Sequence, residues 1–344
     1  MADNKYSEDK APSMDDISLI DEAEASSAAA AKGALCCYKE DISEVGRRYA
    51  DSSYNAGKRL YGFKDYEYAK EAFEAALDMG RLDAAYYLGE LSYLGRGVEK
   101  DFKRAFDYYN MALVSERPEI YYRLGCIYMD GTGAAKDKEK AKEYFLKVQS
   151  ITEAVYRLGC IYAEEEDYKR ALDFCKRAAD EKYTPAMSMI ADMYYTGRGV
   201  KKDYTKAYEY YKSAIGDESS IRALRLGIMS LKGIGTSANY SMAQSNLKKL
   251  QKLPDSDPQK PEALFYIGKM LAEGKGIAAN EELAMTYYTQ AALLGEAEAA
   301  YYLGGIYEKN KKERFAYVWY SYASSLGYKD AEKKLDWPRW KKYR

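Results

Sequence analysis

A short motif recurs along almost the whole chain and restricts it to a repeat architecture. In its clearest copy, Leu88-Gly89 is followed by Asp101 twelve residues after the glycine and then by Ala105. Periods of about this size are typical of solenoids of helix pairs, in which each pair buries its apolar face only against its neighbours. We call the position of Gly89 in this motif the anchor. It occurs eight times along the chain, at Gly57, Gly89, Gly125, Gly159, Ala191, Gly227, Gly268 and Gly304.

Glycine inside a helix costs about 1 kcal/mol relative to alanine. Its recurrence therefore predicts that a neighbouring backbone approaches each anchor too closely for a larger side chain. An alanine lies four residues after the residue that is predicted to cap the second helix of each pair. A small side chain at this position lets the paired helices pack tightly. These alanines are Ala69, Ala105, Ala141, Ala171, Ala207, Ala243, Ala284 and Ala316.

The residues before each predicted second helix are suited to helix capping. They are Asp65, Asp101, Asp137, Asp167, Asp203, Asn239, Asn280 and Lys312. All except the lysine can accept hydrogen bonds from the free amides at a helix start, a contribution of about 1 kcal/mol each.

The connectors between anchor and cap fall into two classes. Five are long and carry two glycines one residue apart, whereas those after Gly57, Gly159 and Gly304 are four residues shorter. Paired glycines allow positive φ angles, so we expect one turn shape in the long class and a tighter turn in the short class. The glycine pairs are Gly95/Gly97, Gly131/Gly133, Gly197/Gly199, Gly233/Gly235 and Gly274/Gly276.

This pattern resembles the Sel-one-like (Sel1-like, SLR) repeats of the tetratricopeptide (TPR) superfamily. The stretch LGELSYLGRGVEKDFKRAFDYYNMAL at 88–113 looks like one nearly complete motif, and YYTGRGVKKDYTKAYEYYKSA at 194–214 supports it. The resemblance implies an all-α fold: an α/α right-handed superhelical solenoid of eight antiparallel helix pairs with a C-terminal capping helix. It also implies a scaffold or adaptor for protein–protein interaction rather than an enzyme.

Three segments are expected. Residues 1–40 form an acidic leader, predicted to be disordered because residues 1–25 carry eight acidic side chains and two lysines. Residues 41–328 form the array of eight repeats. Residues 329–344 form a capping helix and a basic tail, WPRWKKYR, which we interpret as a solvated helix end rather than as a contact for an acidic partner.

One irregularity interrupts the array. Pro254, Pro258 and Pro261 lie in an insertion between Gln251 and Glu262. We interpret it as a loop that delays the seventh unit and not as a domain boundary.

Composition excludes several classes of function. Lysine and arginine number 53 against 54 acidic residues, so no overall charge favours nucleic acid, and the absence of histidine removes His-based catalysis and His-metal sites. Five cysteines show no pairing or zinc-binding pattern, so we expect reduced thiols and no cofactor or metal. No signal-like or membrane-spanning segment is evident, which predicts a cytoplasmic location and leaves non-classical secretion open.

In TPR arrays the first helix of each pair lines the concave side, and the resemblance places two rows of residues there. Tyrosine and arginine often supply binding energy, which predicts a groove for a protein or peptide with acidic and apolar side chains. The alternative for the tyrosines is that they wedge between helices, whereas the charge of the arginines has no reason to lie in a helix interface. Three residues before the anchor stand Tyr54, Tyr86, Tyr122, Tyr156, Phe265 and Tyr301, and two before it stand Tyr87, Arg123, Arg157, Arg225, Tyr266 and Tyr302.

Two other functions stay open. The chain could be a regulatory subunit of an enzyme complex. A hydrolase using groove carboxylates is disfavoured, because acids such as Glu90 and Asp192 are separated by whole repeats. The sequence therefore predicts a non-catalytic binding protein.

Overall fold

The computed structural model describes residues 44–214 and 219–343. All the regular secondary structure in this part of the chain is helical, which confirms the predicted all-α class. The prediction of an acidic, disordered leader at residues 1–40 lies outside the described residues. The chain divides into two compact units, one ending at Glu181 and the other beginning at Lys182.

The first unit contains four helix pairs. Its helices are α1 (Glu44–Gly62), α2 (Tyr66–Asp78), α3 (Asp83–Leu94), α4 (Phe102–Ala112), α5 (Pro118–Asp130), α6 (Lys138–Leu146), α7 (Thr152–Glu164) and α8 (Tyr168–Asp180). Each odd-numbered helix packs against the next even-numbered one, and successive pairs pack on each other.

The second unit repeats this arrangement and adds a final helix. Its helices are α9 (Thr184–Thr196), α10 (Tyr204–Ser213), α11 (Ser220–Lys232), α12 (Tyr240–Gln251), α13 (Lys260–Glu273), α14 (Glu281–Leu293), α15 (Ala297–Lys309), α16 (Glu313–Ser325) and α17 (Lys329–Leu335). The predicted eight pairs and the capping helix are thus present in the described residues.

A side chain, and not the backbone, explains the anchor glycines. A Cβ on Gly89 would lie 2.7 Å from Cε1 of Tyr109, and one on Gly125 would lie 2.6 Å from Cε1 of Phe145. The nearest backbone atoms are farther away, such as the Ala284 carbonyl oxygen at 3.3 Å from a Cβ on Gly268. The expectation of a close backbone approach was therefore wrong. The small alanine of the second helix is fully buried, and the side chain four residues after it fills the space over the glycine.

The two classes of connector are confirmed. In the long connector after α3, Gly95 and Gly97 have φ angles of 67° and 66°, and a Cβ on Gly97 would lie 2.7 Å from the Cβ of Tyr66. All five glycine pairs have positive φ. Each short connector instead holds one non-glycine residue with positive φ, namely Lys64, Glu166 and Lys311.

Six of the seven predicted side-chain caps are confirmed. Asp101, for example, accepts a hydrogen bond of 2.9 Å from the backbone N–H of Arg104. Asp137, Asp167, Asp203, Asn239 and Asn280 make the same bond. The prediction is wrong for Asp65, which makes no side-chain cap bond and for which the structure offers no reason.

The proline-rich insertion is a loop, because α12 ends at Gln251 and α13 begins at Lys260. One hydrophobic cluster contains Leu247 from before the loop and Phe265 and Tyr288 from after it. The core therefore continues across the insertion, in agreement with the interpretation as a delayed repeat.

The basic tail packs on the last helix pair instead of ending in solvent. Trp340 is fully buried, with its ring 5.8 Å from that of Tyr320. Lys334 and Arg339 both pair with Glu308. The expectation of a solvated end was wrong because the apolar area of Trp340 outweighs the polarity of the lysines around it.

Candidate interaction face

The residues predicted to bind a partner lie on the first helices of the pairs, close to the anchors. We call this surface the first-helix face, and we describe it separately in each unit. Its residues differ widely in exposure: Tyr54, Phe265 and Tyr266 are at most 7% exposed, whereas the other nine are half-buried. The three core residues offer a partner little area.

In the first unit the tyrosines form an aromatic cluster between pairs one and two. Tyr87 stacks on Phe73 with ring centroids 4.6 Å apart, and Tyr54 meets Tyr87 edge to face at 5.9 Å. Arg117 donates a hydrogen bond of 2.9 Å to the Tyr54 hydroxyl and lies over the ring of Tyr86 at 5.3 Å. These contacts hold adjacent pairs together, which favours the wedge interpretation for Tyr54.

Arg123 forms a closed network with Glu90. Its Nε and Nη2 donate to the two carboxylate oxygens at 2.6 and 2.8 Å, and the Tyr109 hydroxyl donates to the same carboxylate at 2.7 Å. The guanidinium also lies 4.9 Å from the ring centre of Tyr93. Burial lowers the pKa of Arg123, but the hydrogen bonds and charge of Glu90 outweigh it and raise the pKa above its usual value.

A second copy of this constellation lies in the second unit, 102 residues further along. Asp192 takes the place of Glu90, Tyr195 that of Tyr93, Tyr211 that of Tyr109 and Arg225 that of Arg123. The Tyr211 hydroxyl donates to the Asp192 carboxylate, and Arg225 lies 4.7 Å from the ring centre of Tyr195. The bidentate ion pair is missing, and Nε of Arg225 is buried without a hydrogen-bond partner in the described residues.

Arg157 differs from both. Burial lowers its pKa, but interactions with Cys126 and Tyr122 of the preceding pair outweigh this and raise the pKa above its usual value. Within residues 44–214 and 219–343, no carboxylate forms a salt bridge with Arg157. Arg123 is thus neutralised by a carboxylate of the chain. Arg157 and Arg225 form no such ion pair within the described residues, and we call them the open arginines.

The second unit carries further cations that rest on tyrosines. Lys232 donates to the Tyr266 hydroxyl at 2.8 Å, and Lys269 donates to the Tyr302 hydroxyl at 3.1 Å. A pocket of about 400 Å³ includes both lysines in its lining, together with Lys275, which pairs with Glu273 at 2.7 Å. The lining of this pocket is positively charged, because it contains three lysines and one acid.

Comparison with known proteins identifies the family. The sequence pattern of the Sel1 repeat matches residues 82–113, 118–147, 152–183, 184–215, 223–250, 261–296 and 297–328, which is well over half of the chain. The chain belongs to the Sel1 repeat family. The first helix pair, α1 and α2, lies before the first of the seven matched repeats. Sel1 repeat proteins generally act as protein-interaction scaffolds and are typically non-catalytic.

Two solved structures share the fold of this Sel1 repeat protein. A protective antigen of uropathogenic Escherichia coli with an SLR fold is 24% identical, with a TM-score of 0.69 over 88% of this chain and 66% of that one. A Sel1 repeat protein from Oxalobacter formigenes is 25% identical, with a TM-score of 0.57 over 69% of this chain and 98% of that one. Both support the paired-helix solenoid.

A curated relative is chitin synthase regulatory factor 3 of Schizosaccharomyces pombe. It is 26% identical over 174 residues, which is 48% of this chain and 18% of the relative. The Sel1 repeat chain thus spans about a fifth of the length of that protein.

Reasoning from the sequence missed the internal partner of Arg123. It assumed that the arginine charges had no reason to lie between helices, and for Arg123 this was wrong because Glu90 neutralises the charge there. The signal was present: Glu90 follows its anchor by one residue, and Arg123 precedes the next anchor by two. These positions meet wherever two successive first helices are neighbours.

Glu90 is not placed for acid–base catalysis. Its side chain is 8% exposed, and both carboxylate oxygens already accept hydrogen bonds. Asp192, on the equivalent position of the second unit, accepts from Tyr211. A carboxylate whose oxygens are already held by hydrogen bonds is poorly placed to transfer a proton, so the geometry of Glu90 does not favour a carboxylate hydrolase.

Proposed function

We propose that this Sel1 repeat protein is a non-catalytic scaffold or adaptor that binds a protein or peptide segment carrying acidic and apolar side chains on the first-helix face. The observation that carries the proposal is the state of Arg157 and Arg225. Both are half-buried, Arg225 lies 4.7 Å from the ring centre of Tyr195, and neither pairs with a carboxylate of the described residues.

Arginine in such a setting is suited to recognition. A guanidinium held flat against a tyrosine keeps its N–H edge free for bidentate hydrogen bonds to a carboxylate. The half-buried tyrosines of the face, such as Tyr86 and Tyr302, add apolar area at low entropic cost. Lys232 and Lys269 extend the positive charge in the second unit.

Selection from a library of displayed random peptides tests the proposal. Peptides enriched by the wild-type chain are expected to carry glutamate or aspartate beside leucine or aromatic residues. Replacement of Arg157 and Arg225 by glutamine should remove that enrichment. A matched control replaces two exposed second-helix cations, Lys103 and Arg314, by glutamine and should leave it unchanged. Enrichment of the same acidic peptides by all three proteins would show that the face is not the binding surface.

A second candidate follows from the curated relative. Its name describes a regulatory factor of chitin synthase, which favours a scaffold that regulates an enzyme. In that case the acidic and apolar segment belongs to an enzyme subunit. Cross-linking mass spectrometry of the chain in complex with a captured enzyme should then give links from lysines of the first-helix face, such as Lys232 and Lys269.

A further inference from the structure

We infer that Arg225 and Tyr195 form a carboxylate-binding subsite, which receives the side-chain carboxylate of one acidic residue in a partner segment. The inference rests on the proposed function and specifies where in the second unit the acidic residue is recognised. The first unit shows what such a complex looks like, because there the carboxylate is supplied by the chain itself.

The two copies position their arginines alike. Arg123 lies 4.9 Å from the ring centre of Tyr93, and Arg225 lies 4.7 Å from that of Tyr195. In the first copy, the edge of the guanidinium that is left free by the ring holds Glu90 in a bidentate pair. In the second copy, the corresponding Nε is buried and has no acceptor in the described residues. A buried N–H without an acceptor carries a desolvation cost that a bound carboxylate would remove.

The reason for the difference is one methylene group. Asp192 replaces Glu90, and its carboxylate is held by the hydroxyl of Tyr211 as that of Glu90 is held by Tyr109. The aspartate side chain is one methylene group shorter, and within the described residues no carboxylate forms an ion pair with Arg225. The Arg225 guanidinium therefore keeps hydrogen-bond donors for an external carboxylate, whereas Glu90 occupies those of Arg123 in the first unit.

The surroundings hold both cations and acids. Glu262, on α13, lies near Arg225, Lys232 and a second acid, Glu298, and burial raises its pKa while the two cations oppose the rise. Within the described residues Glu262 forms an ion pair with neither cation, so both cations keep hydrogen-bond donors for an incoming carboxylate. The ring of Tyr266, beside Lys232, offers apolar contact for the stem of a glutamate.

A designed peptide pair tests the subsite. The probe contains Gly-Leu-Glu three times followed by glycine, with blocked ends, and its twin has glutamine in place of each glutamate. The Nε–H signals of the arginines are followed by NMR, and the Arg225 signal is assigned from its loss in Arg225→Lys. We expect the acidic peptide to shift the Arg225 signal and the glutamine twin to leave it in place, while the Arg123 signal moves with neither.

A substitution at the internal acid provides the decisive variant. Asp192→Glu should restore the ion pair of the first unit, move the Arg225 Nε–H signal without any peptide, and weaken binding of the acidic peptide at least tenfold. The reciprocal Glu90→Asp should release Arg123, so that its signal also responds to the acidic peptide. Circular dichroism confirms that each variant is folded.

The outcomes separate the two proposals. If the wild-type chain binds neither peptide, the proposed acidic specificity fails together with the subsite. If it binds the acidic peptide but Asp192→Glu and Arg225→Gln leave the affinity unchanged, only the subsite is overturned. If Asp192→Glu leaves the Arg225 signal unmoved in the free protein, the equivalence of the two copies is wrong.

Discussion

The constellations around Arg123 and Arg225 use the same four positions with different consequences. In the first unit the arginine forms an ion pair with a buried carboxylate, and the resulting network joins α3, α4 and α5. In the second unit the acid is shorter, and the arginine rests on a tyrosine with one nitrogen unsatisfied. The comparison teaches that arginine at one repeat position can be paired within the chain or left without a carboxylate of the described residues, and we propose that the second state serves recognition.

Replacement of each arginine in turn by alanine should give the largest difference in the free energy of unfolding between the two constellations. Arg123→Ala would leave the Glu90 carboxylate buried without its ion-pair partner, at a cost of about 3 kcal/mol in the free energy of unfolding. Arg225→Ala removes only a contact with a ring, at a cost of about 1 kcal/mol or less. Urea unfolding followed by circular dichroism measures both. Equal losses would mean that Arg225 has a structural partner of similar strength.

The long connectors next to the two arginine constellations should contribute equally to stability, and substitutions in them therefore provide a control. Gly95 and Gly197 have φ angles of 67° and 80°, and a Cβ on either would approach the Cβ of the lysine five residues on, at 3.1 and 3.3 Å. Replacement by alanine forces an unfavourable backbone conformation, which costs about 1 to 2 kcal/mol. We expect similar losses of unfolding free energy in Gly95→Ala and Gly197→Ala. A much larger loss in one would show that the units differ in stability for reasons outside the arginine sites.

The features that repeat locally were predictable from the sequence, whereas those that depend on distant side chains were not. The glycine turns and the caps follow from residue types within a few positions of each other, so Gly95 and Asp101 could be assigned correctly. The side chain over each anchor glycine, such as Tyr109 over Gly89, is sixteen or twenty residues away, and its packing depends on how the two helices meet. Trp340 was missed because the lysines around it dominate the local pattern.

The shared tyrosines should contribute equally in the two copies. Burial raises the pKa of Tyr109 and Tyr211 above the ordinary value of 10.0, and Glu90 and Asp192 raise them further. The folded chain therefore keeps these protons after the unfolded chain has lost them. Stability is fully present below about pH 10 and falls as the pH rises above it.

Tyr109→Phe and Tyr211→Phe should each cost about 1 kcal/mol at neutral pH, through the lost hydrogen bond to the acid. Each should also reduce the dependence of unfolding free energy on pH above about pH 10. Urea unfolding at a series of alkaline pH values checks both effects. A pH dependence unchanged by both substitutions would mean that other tyrosines cause the alkaline loss.

The smallest expected effect on stability is that of removing the acidic leader. A shortened chain beginning at Asp41 should differ from the full chain by less than about 0.5 kcal/mol in unfolding free energy, because the leader has little apolar surface to bury. Its nine acidic side chains have the same charge as the expected partner. They should therefore compete for open cations such as Arg225, but not for Arg123, which is already paired.

Binding measurements on the shortened chain sharpen the comparison between the copies. Affinity for the acidic peptide should rise a few-fold when the leader is removed, and the rise should disappear in Asp192→Glu, where Arg225 is paired internally. Titration calorimetry on the four proteins, full and shortened, with and without that substitution, measures the coupling. Loss of cooperative unfolding in the shortened chain would instead make the leader part of the core. A rise of equal size in Asp192→Glu would place the leader's competition at cations other than Arg225.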